Sequence, residues 1–556
     1  MSASHRVAAA CAGLLSVILL VGCTAEPPTS PGQTPLVSTD DLPEAQPGEV
    51  HLFGFNDLHG HLQPPEGSNG QIAGRDAGGA AYLATHVARL RAAYPDSAVL
   101  LAGDNFGASP LVSSLFHDEP TVKYLNSLRP AASAVGNHEL DDGVLELARM
   151  QQGGCALDGC SPGAPFTGAE FPYLAANMTN GDGQLPPGLR PWTMVEAGGH
   201  KIGVVGVVTP ETAQIVFPEG IRGYSFGDPA EAINRHVPEM LVAGAEVIVG
   251  LVHDGGKQQV PDADYNGCAN ITPNVPELAR RTDPAVRVLM TAHSHQSYVC
   301  EFDGKVVTQA ASYGRLITDV TLRFGDGDVD VRAVNRVVTR DVAPDPATVE
   351  LIDFFAAEAA PRAERVVGAA AAPLPKSAAP GGESPLGNLI ADAMLDATAG
   401  PAQAVAAFMN PGGVRADIGA GPITFGSIYQ SQPFGNQVVT VSLTGRQIVD
   451  LLEQQWSRPD KATILSVAGI SYAYDDAAPA GDKIDESSVR IGGQPLNEVA
   501  VYRVTTNNFL ASGGDGFSVF TRGTDMTVGP MDLDVLEGYL TERGPVAPPA
   551  VRIERR

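Results

Sequence analysis

Positive charge is scarce in this sequence. Against 63 Asp and Glu, the 556 residues include only 36 Lys and Arg, for a formal net charge of −27. So acidic a chain lacks the basic face of a nucleic-acid scaffold. If it handles a phosphorylated substrate it needs local positive charge, which bound metal ions supply. Cysteine is equally sparse, six in all with no C-x-x-C spacing, which argues against a zinc site built on thiolates. The apolar stretch Val7 to Val21 falls short of the roughly 20 residues a membrane span requires. No short-period repeat is present, so a solenoid is excluded. The run Phe324 to Val331 has alternating Asp and Gly but lacks the closing Glu of a calcium loop, and reads as a hairpin turn.

What is present points to an exported, two-domain protein. Length favours more than one domain, and a hydrophobic fraction of 44% is ample for two cores. His5 and Arg6 precede the apolar stretch, which ends in Leu20-Val21-Gly22-Cys23. Residues 1–22 therefore read as an export signal. The ending resembles a bacterial lipobox, implying cleavage before Cys23, lipid on its sulfur and anchoring at a membrane surface. The alternative is an ordinary secretory signal followed by a chance cysteine. Residues 23–48 are rich in Pro, Ser and Thr and read as a flexible tether. Setting aside Cys11 and Cys23, four cysteines remain and allow 3 pairings; the local pairs Cys155–Cys160 and Cys268–Cys300 are preferred.

Residues 49–340 alternate apolar, strand-like runs with helical patterns, which is the signature of α/β architecture. Leu83, Val87 and Leu90 recur at helical spacing, predicting a helix over Gly79 to Ala93. Pro- and Gly-dense stretches at 153–168 and 181–191 read as surface loops. An Ala- and Glu-rich segment within 341–371 predicts a linking helix, and 372–545 carries a second α/β domain.

Five apolar runs each end in a polar cluster. Leu52–Phe55 leads to Asn56-Asp57-Leu58-His59-Gly60, and Val99–Ala102 to Gly103-Asp104-Asn105. Ala134-Val135 leads to Gly136-Asn137-His138-Glu139, Val247–Val252 to His253-Asp254-Gly255, and Val286–Met290 to His293-Ser294-His295. Open α/β sheets bind ligands beyond their strand ends. There, Asp57, His59, Asp104, Asn137, His253, His293 and His295 would meet, and carboxylates, imidazoles and an amide suit a pair of divalent metals such as Zn, Mn, Co, Fe or Mg. Asp104 has two oxygens and can bridge two cations. His138 and Asp141 stand three apart and share a face if a helix starts there. His86 and His117 are read as ordinary structural histidines.

These clusters resemble those of calcineurin-like metallophosphoesterases, specifically the 5'-nucleotidase family. The resemblance implies an N-terminal α/β sandwich that holds two metals. One is bound by Asp57, His59, Asp104 and His295, the other by Asp104, Asn137, His253 and His293. It further implies that the His138–Asp141 pair stabilises phosphoryl oxygens in the transition state. Ala292 stands where the family usually has Gly, a departure that touches no ligand.

Three later segments also resemble the family's substrate domain. They are Asn410-Pro-Gly-Gly-Val-Arg415, Gln432-Pro433-Phe434-Gly435-Asn436 and Thr506 to Phe517. By that resemblance Phe434 and Phe509 sandwich a base, Arg415 holds phosphate, and Asn410 and Asp515 contact ribose, while rotation between the domains carries the nucleotide to the metals. Many members place an Arg just upstream of the segment Glu383-Ser384-Pro385-Leu386-Gly387-Asn388. Here Ala378 to Gly382 contain no base, and Lys376 is the nearest. The leading expectation is an exported, lipid-anchored nucleotidase that converts nucleoside 5'-monophosphates to nucleoside and phosphate, with no stable nucleic-acid partner. The alternative is a phosphodiesterase acting on cyclic nucleotides, nucleotide sugars or nucleic-acid ends. A nucleotide-binding surface lipoprotein without catalysis would show decay of the ligand set or of the His138–Asp141 pair, and both are intact.

Overall fold

The computed structural model describes residues 37–39, 42–65, 67–216, 219–260, 263–325, 328–458 and 462–556. The export signal and Cys23 lie outside the described residues. Two six-stranded sheets organise the first half. In the first, Glu49–Phe55, Ser97–Leu101, Ala132–Ala134 and Tyr173–Leu174 run parallel, and Leu316–Phe324 and Val329–Val337 extend it antiparallel. In the second, His200–Val208, Val247–His253, Val286–Thr291 and Lys305–Ala310 are parallel. Trp192–Ala197 and Ser297–Phe302 form its antiparallel edges.

The period-2 alternation of a strand explains the layering. Val50 and Leu52 face the second sheet, where they meet residues such as Val249 and Leu251. Phe53 and Phe55 point the other way, into a core shared with the helix Ala80–Ala93. The result is two sheets face to face with helices outside each. The expected hairpin is present, Phe324 pairing with Val329 across the turn.

The linking helix is shorter than the sequence suggests. It spans Pro346–Ala363, started by the Asp345 carboxylate, which accepts from the Thr348 amide. Val366–Ala370 is then a strand, paired with Gly421–Thr424. Consecutive β-branched Val366 and Val367 followed by Gly368 favour extension, and the strand opposite supplies the ladder. Ile352 and Phe355 of the helix are buried in the core of the first half.

The second half is built on a five-stranded mixed sheet in the order Ser466–Ala468, Ala406–Met409, Val501–Asn507, Gln437–Thr444, Thr524–Met531. Phe408, Val439 and Val441 pack on one face, and Ala407, Met409 and Val438 on the other. Its expected limits also move: Val366–Ala370 joins it at one end, and Ile553–Arg555 pairs with Ile470–Tyr474 beyond residue 545.

The described end of the expected tether is docked rather than free. The Val37 carbonyl accepts from the Val337 amide, Thr39 Oγ1 meets His86 Nδ1 at 2.7 Å, and the Pro43 carbonyl accepts from the Tyr94 hydroxyl. The disulfides Cys155–Cys160 and Cys268–Cys300 are formed. Among the described residues no helix is long and apolar enough to cross a membrane.

Candidate metal centre and active site

The seven residues singled out at strand ends converge on one crevice. His59 Nε2 lies 3.0 Å from His295 Nε2, 3.7 Å from Asp104 Oδ2 and 4.0 Å from Asp57 Oδ1. His253 Nε2 lies 3.0 Å from Asp104 Oδ2 and 3.2 Å from Asn137 Oδ1, and His293 Nδ1 lies 2.9 Å from the same amide oxygen. Asp57, His59 and His295 form one tight group, Asp104, His253 and His293 another, and His59, Asp104 and His138 a third that overlaps the first two, with ligand atoms within 4.8 Å of one another in each. Asp104 lies between the two groups, touching His59 with the same oxygen that meets His253.

Backbone strain brings these groups inward. Asp57, His59, Asp104, His293 and His295 have φ of 50, 48, 51, 69 and 55°. The left-handed region is costly for residues with a Cβ and persists where surrounding bonds over-determine it. Those bonds are present. The Asp57 amide donates to Gly103 O, the His59 amide to Asp104 O, and the His293 amide to the Asp57 carboxylate at 3.1 Å.

The donor set fits cations. His59 Nδ1 donates to Gly107 O and His253 Nδ1 to Ala102 O, both at 2.9 Å. Each neutral ring therefore presents the Nε2 lone pair inward, as metal-ligating histidines do. With the rings neutral, lone pairs of imidazoles, carboxylates and an amide face one another, an arrangement that a divalent cation satisfies; without a cation, a proton on His253 takes that place. The electrostatics agree. Burial lifts the Asp57 carboxyl to about 7, opposed by His253 and reinforced by the like charge of Asp104. Burial opposes charging His253, yet Asp104 and Asp57 raise it to about 10. Carboxylates that draw a proton this strongly would draw a metal in its place.

His138 begins a short 3-10 turn, His138–Leu140, which carries Asp141 to the same side. Its Nδ1 lies 2.9 Å from Asp141 Oδ2, its amide donates to Asp104 Oδ1 at 2.8 Å, and its ring is 4.9 Å from that of His59. Burial works against its charged form, but Asp141 and Asp104 hold its pKa above the ordinary value. Asp142 does not cap the following helix, whose N-cap is Gly143.

The second half closes over this crevice. The Phe434 ring stacks on His138 at 5.8 Å and 22°, and the Arg415 guanidinium lies 5.8 Å from the same ring. Asn410 Nδ2 donates to Asp515 Oδ2 at 2.9 Å, and Asn507 Nδ2 donates to Asn410 Oδ1. Phe509 lies over Gly514, where an added Cβ would come within 2.5 Å of the ring.

Comparison with known proteins agrees with this geometry. Residues 51–297 match the calcineurin-like phosphoesterase family, and residues 366–522 match the C-terminal domain of 5'-nucleotidases. The 5'-nucleotidase precursor of Thermus thermophilus superposes with a TM-score of 0.77 at 30% identity, over 91% of this chain and 99% of that one. This chain belongs to the 5'-nucleotidase family. It is 30% identical to cell wall protein Lmo0130 of Listeria monocytogenes over 95% of its own length and 70% of that protein. It is 32% identical to endonuclease YhcR of Bacillus subtilis over 88% of its own length, but spans only 39% of that larger protein.

As a family member the chain is a metal-dependent phosphoric ester hydrolase, and the family's cofactor is two divalent metal ions. Residues beyond the expected set support the centre. The Glu139 carboxylate accepts from the amides of Asp104 and Asn105 at 2.8 and 2.7 Å and from Gly136 at 2.7 Å. It thereby ties two ligand-bearing loops together. Asn56 donates to the Asp57 carboxylate and accepts from the Ala310 amide. Tyr313 packs within 6.0 Å of His59 and 5.5 Å of His295. Glu139 and Asn56 stand inside the clusters read from the sequence, but the partners that tie them to other segments, Asp104 and Asn105 for Glu139 and Ala310 for Asn56, are remote in the chain. No local signal marks Tyr313.

Proposed function

We propose that this chain is an exported nucleotidase that releases phosphate from nucleoside 5'-monophosphates. The observation that carries the reading is the stack of Phe434 on His138, which brings a base-binding candidate of one domain against the catalytic candidate of the other. When bound, the two divalent ions ready a water for attack and offset phosphate charge. Asp57, His59, Asp104 and His295 would hold one, and Asp104, Asn137, His253 and His293 the other. His138 donates from Nε2 to a phosphoryl oxygen as charge builds there, while Asp141 accepts from Nδ1 and keeps the ring oriented and charged. Arg415 offers its fork to phosphate. Phe434 and Phe509 flank the base, where stacking contributes about 1–3 kcal/mol. Asn410 and Asp515, already bonded to each other, meet the ribose hydroxyls.

Export is supported by two disulfides, which persist in oxidising compartments, and by similarity to a protein named for the cell wall. Attachment through a lipid on Cys23 follows from the lipobox-like ending and is tested by labelled fatty-acid incorporation, which Cys23→Ala should abolish.

A diesterase reading has its own support: Ala378 to Gly382 provide no base for a terminal phosphate, and one relative is named an endonuclease. The deciding assay strips the protein of metal, adds back single cations and measures cleavage of AMP, UDP-glucose, 2',3'-cyclic AMP and a simple diester. Selective phosphate release from AMP supports the nucleotidase. Preference for the diester overturns it.

A further inference from the structure

Phe434 is carried by loop 432–436, and one acid holds that loop on both sides of the ring. Asp532, the first residue of the helix Asp532–Glu542, donates its amide to Asn436 O at 2.7 Å, and its Oδ2 accepts from Gln432 Nε2 at 3.4 Å. Both side chains are sealed from solvent, Gln432 at 1% and Asp532 at 2% exposure. Each keeps one oxygen, Gln432 Oε1 and Asp532 Oδ1, without a hydrogen-bond partner among the described residues. Just past the loop the Gln437 amide donates to Asn508 Oδ1 at 3.1 Å, beside Phe509, so a shift of the loop reaches both base-flanking candidates.

Two buried acceptors left unpaired are costly, and a single proton resolves both. A neutral carboxyl and a primary amide are complementary: the acid O–H donates to the amide oxygen, while the amide N–H donates back to the other carboxyl oxygen. The second of these bonds is the one already in place. Burial lifts the Asp532 carboxyl to about 7, opposed by the nearby Leu533 amide and Asn436 side chain and reinforced by Asp534 on the same helix. Loop 432–436, the helix Phe425–Ser431 and the strand Gln437–Thr444 contain no charged side chain, and Tyr429 is their one titratable group. The acid of the strand Thr524–Met531, Asp525, lies at its far end. We propose that Asp532 is a positioning residue for base recognition, its carboxyl pairing as a neutral acid with Gln432 to fix the loop that presents Phe434. The inference rests on the reading of Phe434 as a base contact. The pair is complete below pH 7. As pH rises through 7 the proton leaves, two acceptors oppose each other, the loop loosens and nucleoside affinity falls.

The competing explanation is that Asp532 serves only the N-terminus of its own helix. Titration calorimetry of adenosine into the full-length, manganese-loaded protein separates the two, because adenosine has no phosphate and stays uncharged between about pH 5.5 and pH 8.5. Wild-type affinity is expected to fall about tenfold over that range, the scale of one to two neutral hydrogen bonds. Asp532→Asn, whose amide pairs with Gln432 at every pH, should keep the low-pH affinity throughout. Titration of His138 against Phe434 is common to both proteins and cancels in the comparison. Gln432→Leu should bind weakly at both ends of the range. Turnover of p-nitrophenyl phosphate, which has no nucleoside, should stay within about twofold of wild type in both variants. Equal pH dependence in wild type and Asp532→Asn overturns the inference, as does wild-type adenosine affinity in Gln432→Leu. Wild-type protein that binds no adenosine overturns the reading of Phe434 and the inference with it. The expected pattern in a protein that releases no phosphate from AMP supports the inference and overturns only the nucleotidase reading.

Discussion

Phe434 and His138 lie ring over ring at 5.8 Å, although one belongs to the substrate half and the other to the catalytic half. In the proposed reading, this contact couples base recognition to the group that meets the phosphoryl oxygens. In Phe434→Ala the KM for AMP should rise about tenfold, within the stacking range of 1–3 kcal/mol, while turnover of p-nitrophenyl phosphate, which has no base to stack, changes little. Parallel loss with both substrates would place Phe434 in the packing of the junction instead.

His138→Ala should lower kcat by about 10²–10³, the usual cost of one transition-state donor, with both metals retained on elemental analysis. His138 also lies within ligand distance of His59 and Asp104, but its Nδ1 is taken by Asp141, and the groups Asp57–His59–His295 and Asp104–His253–His293 are complete without it. Loss of a metal equivalent would reassign it as a ligand.

Glu139→Gln should weaken metal binding by about 10–100-fold, as loss of supporting bonds commonly does. A carboxamide cannot accept from three amides as the Glu139 carboxylate does. Competition with a chelator measures the change, and unaltered metal affinity would reduce Glu139 to a local loop anchor.

Asp532 provides a pH-dependent stability. Burial raises its carboxyl to about 7. The folded state therefore holds a proton that the unfolded chain releases near the ordinary carboxylate value. This contribution is intact at pH 4 and is lost as pH rises through 7. Asp532→Asn removes the titration, so relative to wild type it should gain stability between pH 4 and pH 8 in thermal melts. A difference between the two proteins that stays constant over that range would exclude the linkage.

Replacing Cys268 and Cys300 together by Ala should cost about 3–4 kcal/mol in denaturant unfolding, because the bridge closes a loop with a sequence separation of 32. The Cys155–Cys160 bridge, with a separation of 5, should contribute less.

Much of the candidate site was legible because its ligands sit immediately after strands. A buried run such as Val247–His253 is recognisable from apolar β-branched residues alone, and chain direction then puts His253 at the strand's end. The linking helix was misjudged at its C-terminal end because Val366–Ala370 owes its extension to Gly421–Thr424, a partner remote in sequence. The described end of the tether differs from expectation for a similar reason. Pro, Ser and Thr predict a mobile segment, but Val337 and His86 give its described end specific partners.

Residue order by itself determined which polar clusters follow the buried strands and the division into two α/β halves, since both follow from periodicity and short-range spacing, while the cysteine pairs were only narrowed to 3 alternatives. Only the tertiary structure decided which lone pairs face one another, that Glu139 joins two loops, and that Phe434 stacks on His138. Those relationships depend on where two sheets and two domains meet, and contacts between segments hundreds of residues apart leave no trace in local pattern.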